Sequence, residues 1–452
     1  MNPQGKQLRQ LAGALWVLFF LVAATSLYWG IWRREELAVR DDNPRVVEAA
    51  LRIQRGTIFD VQNVILAETI GPSDRTERSY PLADIGPAVG YYSFRHGAAG
   101  IESGMAAVLE GSDESELDRL WRQALHLPQV GRDVRLTLDS EWQLLAEALL
   151  GDQRGAVLLL SVPDGAVRVM VSHPGFDPNE LDAAFEDLAV DAEAPLLNRS
   201  TQGLYQPGLV LQPLLYAAAV EQRRIINLAN ALPHMSDPVE LSDQVLTCEG
   251  DPAGDESWTM SLQARCPAPL LTLASSWRPE ELVAILDGFG LTTPPDLPLA
   301  TESAGPLTIT DMERSLLGQG ELTVSPLQMA LAFGALANEG RLLRPQLVAS
   351  IMDENGAWQL VTENFQPGLT AVSALAAQEV LAALPRQEGI IEHHVLTLAG
   401  PAESENGWYL ALAPAGAPQL VAVVVVEDVQ NEALAQEIGR ALLREILFGG
   451  RP

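Results

Sequence analysis

Lysine is almost missing from this chain: of its 452 residues, only Lys6 is one. Beyond that position no side chain carries a primary amine. Chemistry that needs a lysine as general base, or as a cationic clamp on an anion, is therefore excluded there. Cysteine is nearly as scarce, with Cys248 and Cys266 alone. In an exported domain the pair suits one disulfide closing a short loop, and the spacing without further ligands makes no metal site. Positive charge is thin overall. Lys and Arg together number 29 against 59 Asp and Glu, for a net charge of −30. Only Lys6 and Arg9 are charged before residue 33, so residues 33–452 carry a net −32. Such a body excludes nucleic acid and an anionic membrane surface as partners. There is no internal repeat and no low-complexity tract.

One long uncharged run is present. Leu11 to Trp32 contains no charge. At about 1.5 Å of rise per residue it reaches roughly 33 Å, enough for the core of a bilayer. Tyr28, Trp29 and Trp32 gather at its far end as an interfacial belt does. Lys6 and Arg9 precede the run, while Arg33 and Arg34 follow it. The run is long for a signal-peptide core, and Trp-Arg-Arg is a poor cleavage site. The expected organisation is a cytoplasmic tail over 1–10, a single-pass anchor over 11–32 and a body outside the cytoplasm.

The body is long enough for two domains. Arg55–Asp60 followed by Val64–Ala67 reads as strand, turn, strand. Leu117 to Leu125 and Trp142 to Leu150 have helical apolar spacing. Gly155 to Ser172 reads as a hairpin about Pro163-Asp164-Gly165. Gly407 to Val426 reads as a second hairpin, and Asn431 to Leu447 as a last helix. Helices are expected between the hairpins, at Pro213–Glu221, Pro279–Gly288, Thr310–Gly318 and Pro326–Glu339. Strands at both ends with helices between them make an α+β domain whose sheet closes late. The expected division is a pedestal over 33–145 and a larger domain over 146–452.

Several segments, in order, resemble the class B penicillin-binding proteins, which are peptidoglycan D,D-transpeptidases. They are Arg55-Gly-Thr-Ile-Phe-Asp60 with Leu66-Ala67, Tyr80-Pro81, Gly97 to Gly104 and Leu109-Glu-Gly111. Leu136-Thr-Leu-Asp139 with Gln143 follows, then Ser172-His-Pro-Gly-Phe-Asp-Pro-Asn179. Gly318-Gln-Gly-Glu-Leu-Thr-Val-Ser-Pro-Leu-Gln328 with Ala337-Asn-Glu-Gly340 and Pro345 completes the series. The resemblance covers nearly the whole body. It implies a penicillin-binding transpeptidase or serine β-lactamase-like domain, an antiparallel sheet with helices on both sides and a helical subdomain. A small mixed α/β pedestal and one N-terminal transmembrane helix would precede it. It implies no cofactor and no metal.

The departures fall where the family's chemistry should be. The Ser-x-x-Lys motif aligns with Leu209-Val-Leu-Gln212, so Leu209 stands at the nucleophile position and Gln212 at the base position. Leucine has no lone pair to attack with, and a neutral amide takes no proton at useful pH. Ser-x-Asn aligns with Ser275-Ser276-Trp277. Lys-Thr-Gly followed by Thr-Ala-Glu aligns with Leu398-Ala399-Gly400-Pro401-Ala402-Glu403. Ser275, Trp277, Gly400 and Glu403 are thus the expected remnants of a substrate site.

The main expectation is a membrane-anchored, catalytically inactive homologue serving peptidoglycan synthesis as a scaffold or regulatory partner. Its expected partner is a membrane protein of wall synthesis, such as a glycosyltransferase, or the peptidoglycan peptide itself. A second reading rebuilds the enzyme with Ser275 or Ser276 as nucleophile and His393 or His394 as base; His173, before Pro174, reads as a loop residue. A third is a non-catalytic protein whose apolar pocket, lined by Leu209, Trp277 and Leu398, takes a peptide or lipid-like group.

Overall fold

The computed structural model describes residues 3–29, 53–72, 76–113, 116–125, 129–241, 244–252, 254, 256–361, 368–398, 404–429, 431 and 433–449. Helix α1 is Pro3–Leu27. Its large apolar side chains from Leu11 onward, Trp16, Phe19 and Phe20 among them, are exposed. Among the described residues no helix is long and apolar enough to cross a membrane. The expected anchor also runs on past α1 into residues that are not described.

The first unit contributes β1 (Ile58–Phe59), β2 (Ile65–Ile70), β3 (Glu77–Ser79), helix α2 (Glu116–Leu125) and β4 (Val134–Leu136). Helix α3 (Ser140–Leu150) then leads to the hairpin of β5 (Gly155–Ser161) and β6 (Val167–His173). The central block holds α4 (Gln212–Glu221), the short pair β7 (Val239–Leu241) and β8 (Gln244–Leu246), α5 (Trp258–Gln263), α6 (Ala268–Ala274), α7 (Pro279–Gly288) and α8 (Pro326–Ala337). Strands β9 (Val348–Met352) and β10 (Trp358–Leu360) follow. The chain ends with β11 (Arg386–Gln387), β12 (Ile390–Leu398), β13 (Glu405–Ala413), β14 (Leu420–Val426) and α9 (Leu434–Phe448).

Two six-stranded sheets organise these elements. The first has the order β10-β9-β4-β1-β2-β3, with β1 and β4 parallel and the other neighbours antiparallel. Two of its strands thus come from beyond residue 347, so this sheet crosses the division expected at 145/146. The second is antiparallel throughout, in the order β11-β12-β13-β14-β5-β6. Both expected hairpins lie in it. Its innermost strand β14 is Leu-Val-Ala-Val-Val-Val-Val and wholly buried, as a strand covered on both faces must be. Val421, Val423 and Val425 face the central helices, α8 among them. Leu420, Ala422, Val424 and Val426 face α3 and α9.

The family-like motif residues are structural fasteners. Asp60 is fully buried and holds its own turn through Gln62 N and Val64 N, both 2.7 Å from Oδ1. Its Oδ2 accepts from Ser140 N (3.1 Å) and Oγ (2.6 Å) at the start of α3. Gln143 copies a backbone unit, donating to Met170 O (2.9 Å) and accepting from Met170 N (2.8 Å). Asn179 does the same at Tyr80, with both contacts at 2.9 Å. Ser325 and Gln328 form a capping box at the head of α8.

Candidate functional site

The turn Gly208–Leu211 enters α4 from the loop containing Tyr205-Gln-Pro-Gly. Pro207 and Pro213 fix the backbone on either side, the second in the first turn of α4 where a missing N–H costs nothing. Gly208 (φ +55°) and Gly318 (φ +64°) pack backbone to backbone. Gly208 N donates to Gly318 O at 3.0 Å. A Cβ on Gly318 would come within 2.3 Å of Gly208 O, and one on Gly208 within 2.5 Å of Thr397 Cγ2. The Gly-Gln-Gly motif therefore seats the turn that carries Leu209. Behind it, Glu427 accepts from Tyr205 Oη and Arg199 Nε, both at 2.8 Å. Burial opposes charge on Glu427, but Arg199 and Tyr205 hold its carboxyl below the usual range.

Leu209 and Gln212 are both buried. Gln212 Nε2 lies 3.1 Å from Tyr216 Oη and from Cys266 O, and 3.4 Å from Ser261 O. Tyr216 Oη in turn lies 2.8 Å from Ser261 Oγ, which donates to Trp258 O at 2.8 Å. With the serine hydrogen used on that carbonyl, the tyrosine donates to the serine and accepts from the amide. Burial pushes the Tyr216 phenol up, so it stays protonated. Gln212 Oε1 has no hydrogen-bond partner among the described residues.

His393 closes the site from β12. The carbonyl of Leu209 only accepts, so His393 Nε2 donates to it, at 3.1 Å. Its Nδ1 has no partner among the described residues. Burial is the main cause that lowers its pKa to about 3, with Arg265 adding to the effect. His394 points to the other face of the strand, where Gln436 Nε2 lies 3.2 Å from Nδ1. Burial, then Arg265 and Arg440, lower its pKa to about 4. The two histidines alternate across a strand, as its period of two requires. Neither hydrogen-bonds to Ser275 or Ser276. Thr397, also buried, is the strand residue that meets Gly208. Leu398 pairs with Glu405 at the end of the described strand. Gly400 and Glu403 lie outside the described residues.

Ser275 and Trp277 are not at this site, contrary to the sequence expectation. Ser275 Oγ donates to Thr272 O at 3.2 Å within its own segment. Trp277 is buried, and its Nε1 donates to Gln222 Oε1 at 2.7 Å. Gln222 caps the C-terminal end of α4, whereas Gln212 begins it. Ten helical residues separate them by about 15 Å. The segment that reaches Gln212 is Ser261–Cys266, at the turn between α5 and α6. Arg265 stands there with φ +53° and a largely buried side chain. Cys266 is disulfide-bonded to Cys248, as the sequence suggested. The signal for this segment was the cysteine pair itself, since a disulfide draws two stretches to one place. Two clefts elsewhere, of about 440 and 560 Å³, are lined by neither Leu209 nor Trp277.

Comparison with known proteins agrees with the fold. Residues 155–389 match the penicillin binding protein transpeptidase domain, and residues 55–134 the penicillin binding protein A dimerisation domain. The chain belongs to the penicillin-binding protein transpeptidase family. Its relatives include the peptidoglycan D,D-transpeptidase PbpA of Mycolicibacterium smegmatis, 30% identical over 499 residues, 98% of this chain and 99% of that protein. PbpA of Mycobacterium tuberculosis is 26% identical over 495 residues, 98% of this chain and 99% of that protein. The penicillin-binding protein A of M. tuberculosis, solved as an imipenem acyl-enzyme, superposes with a TM-score of 0.78 at 25% identity. That match covers 89% of this chain and all of the solved one.

Proposed function

We propose that this chain is a non-acylating member of its family, a membrane-anchored partner of peptidoglycan synthesis rather than a transpeptidase. One observation carries the reading: the turn that the Gly-Gln-Gly motif seats presents Leu209, with Gln212 one helical turn on. Neither residue offers a nucleophile or a base. Arg265, the neighbour of Cys266, carries a guanidinium that has no acceptor to take a proton from a hydroxyl. Gln212 is engaged in the chain to Tyr216, Ser261 and Cys266, and the neutral His393 donates to a carbonyl. Removing nucleophile and base together costs a serine hydrolase on the order of 10⁶ in rate.

The uncharged run Leu11–Trp32 supports anchoring, with the body outside the cytoplasm. The exposed apolar stripe of α2, formed by Leu117, Leu120, Trp121 and Leu125, supports a protein partner. A membrane protein of wall synthesis, such as a glycosyltransferase, fits both features. The relatives' own activity is the competing reading. A fluorescent penicillin, incubated with the full chain and resolved on a denaturing gel beside a genuine transpeptidase, separates the two. No covalent band is expected. A band mapped to any serine overturns the proposal and makes the chain a transpeptidase with a rebuilt site.

A further inference from the structure

Among the described residues no strand pairs with the outer edge of β12 beyond Ile391. On one side β13 pairs with β12 from Ile391 to Leu398. On the other, β11 reaches only Ile390 and Ile391. An open edge is a template for another extended chain, which would add as a further strand through main-chain hydrogen bonds. Here two of the outward N–H groups, those of Glu392 and Leu396, are met by the chain itself. Glu392 N donates to Pro385 O at 3.1 Å. Four residues on, in the same phase of the strand, Leu396 N donates to Glu249 Oε1 at 3.0 Å.

That carboxylate is held from three directions. Cys248, its neighbour, is bonded to Cys266. Gly250 N donates to Ala264 O at 3.0 Å, so residues 248–250 lie along 264–266. Glu249 Oε2 lies 3.6 Å from Arg265 Nε, between side chains that are mostly buried. A carboxylate carried on a tethered loop is thus set between a strand-edge N–H and a guanidinium, beside the turn that bears Leu209.

We infer that Glu249 is a cap in cis: its carboxylate takes up the edge of β12 beside Leu209 and keeps that edge from accepting an extended peptide, with Arg265 and the disulfide as its moorings. The inference rests on the geometry of the edge alone, so it stands or falls independently of the penicillin-labelling result.

Hydrogen exchange read by mass spectrometry on the detergent-solubilised full chain tests it. The peptide spanning 392–398 reports the edge, and one spanning 326–337 in buried α8 reports global opening. In Glu249→Ala the edge peptide is expected to exchange roughly tenfold faster, the loss of a hydrogen bond to a charged group, with α8 unchanged. Arg265→Gln is expected to give a smaller acceleration at the same amides. Wild-type protein treated with dithiothreitol is expected to do likewise. Edge exchange unchanged in Glu249→Ala overturns the cap. If that variant loosens α8 as well, the decision passes to Arg265→Gln and the reduced wild type. There, unchanged edge exchange overturns the cap and local acceleration supports it.

Discussion

Two buried polar clusters in this molecule differ sharply in how well they are satisfied. In the pedestal, Glu102 is fully buried between Arg55 and Arg78. It accepts from Arg55 Nε at 3.1 Å, Arg78 Nε at 2.6 Å and Tyr80 Oη at 3.2 Å. Arg55 also donates to Glu102 O at 2.8 Å and pairs with Glu110. At the Leu209 turn, by contrast, Gln212 Oε1 and His393 Nδ1 are buried acceptors without a partner among the described residues. A stranded buried group costs about 1–3 kcal/mol. The pedestal cluster is built from residues that hold the fold, and in it Arg78 Nη2 alone is buried without a partner among the described residues. At the turn the unpaired atoms belong to Gln212 and to His393, the residue that meets the Leu209 carbonyl. On the function proposed above, fold and chemistry would have separated within one chain.

The contrast can be attacked at either end. The largest effect is expected from Glu102→Ala, which takes from Arg78 its carboxylate partner in the interior and leaves Arg55 with Glu110 alone. Breaking a buried pair costs about 3–5 kcal/mol, so urea unfolding of the variant should begin at markedly lower denaturant. A loss below about 1 kcal/mol would dissolve the contrast.

Acid should find the other cluster. His393 has a folded pKa of about 3 against 6.5 for the free side chain. Below pH 6.5 the unfolded chain binds a proton that the folded chain refuses until about pH 3. Stability contributed by the neutral form therefore falls with pH across that window, by about 1.4 kcal/mol per pH unit. Thermal melts of wild type and His393→Leu between pH 7 and 4 should show the steeper decline in the wild type. Parallel curves would place the acid sensitivity elsewhere.

Glu147 offers a smaller effect of opposite sign. Burial is the main cause that raises its pKa to about 7. Its neutral form supports the fold below pH 4.5, and that support is lost as pH rises through 7. Glu147→Gln should therefore raise the melting temperature at pH 8 and leave it unchanged at pH 4. The gain is about 1 kcal/mol once solvent screening of a partly exposed group is allowed for. An equal gain at both pH values would point to packing instead.

The smallest effect is a null one. Leu209→Ser with Gln212→Lys should still give no penicillin-labelled band. The groups facing residue 212 remain Tyr216 and the carbonyls of Ser261 and Cys266, and Glu249 still lies along the edge of β12. A labelled band would mean that two side chains are all that separate this site from an acylating one.

Much of this was legible in the sequence, for local reasons. The 155–172 and 407–426 hairpins were marked by apolar runs around Pro and Gly turns, α3 by apolar spacing, and α4, α7 and α8 by prolines at their starts as well. The pedestal fasteners Asp60, Gln143 and Asn179 stood out because their motifs did. What eluded the sequence depends on long-range geometry. Ser275-Ser276-Trp277 matched Ser-x-Asn in one residue, and residue types alone do not show which end of α4 a later segment meets. The group that reaches Gln212 is the carbonyl of Cys266, which every residue possesses. Thr397 and the capping role of Glu249 depended on the phase and edge of β12, neither of which is written in a local pattern.

The order of strands in the pedestal sheet bears on the birth of the protein. Thr137 N donates to Leu347 O at 2.9 Å, and the two residues are 210 apart in the chain. At ribosomal speeds of about 5–20 residues per second, β4 waits ten seconds or more for β9 to emerge. Throughout that interval one edge of a half-built sheet lies bare. A nascent chain stalled before residue 348, or a fragment ended at 145, would carry that edge unpaired. The pedestal sheet is begun at residue 58 and closed only by the strands at 348–352 and 358–360, so its edge stays bare while the whole central helical block is translated.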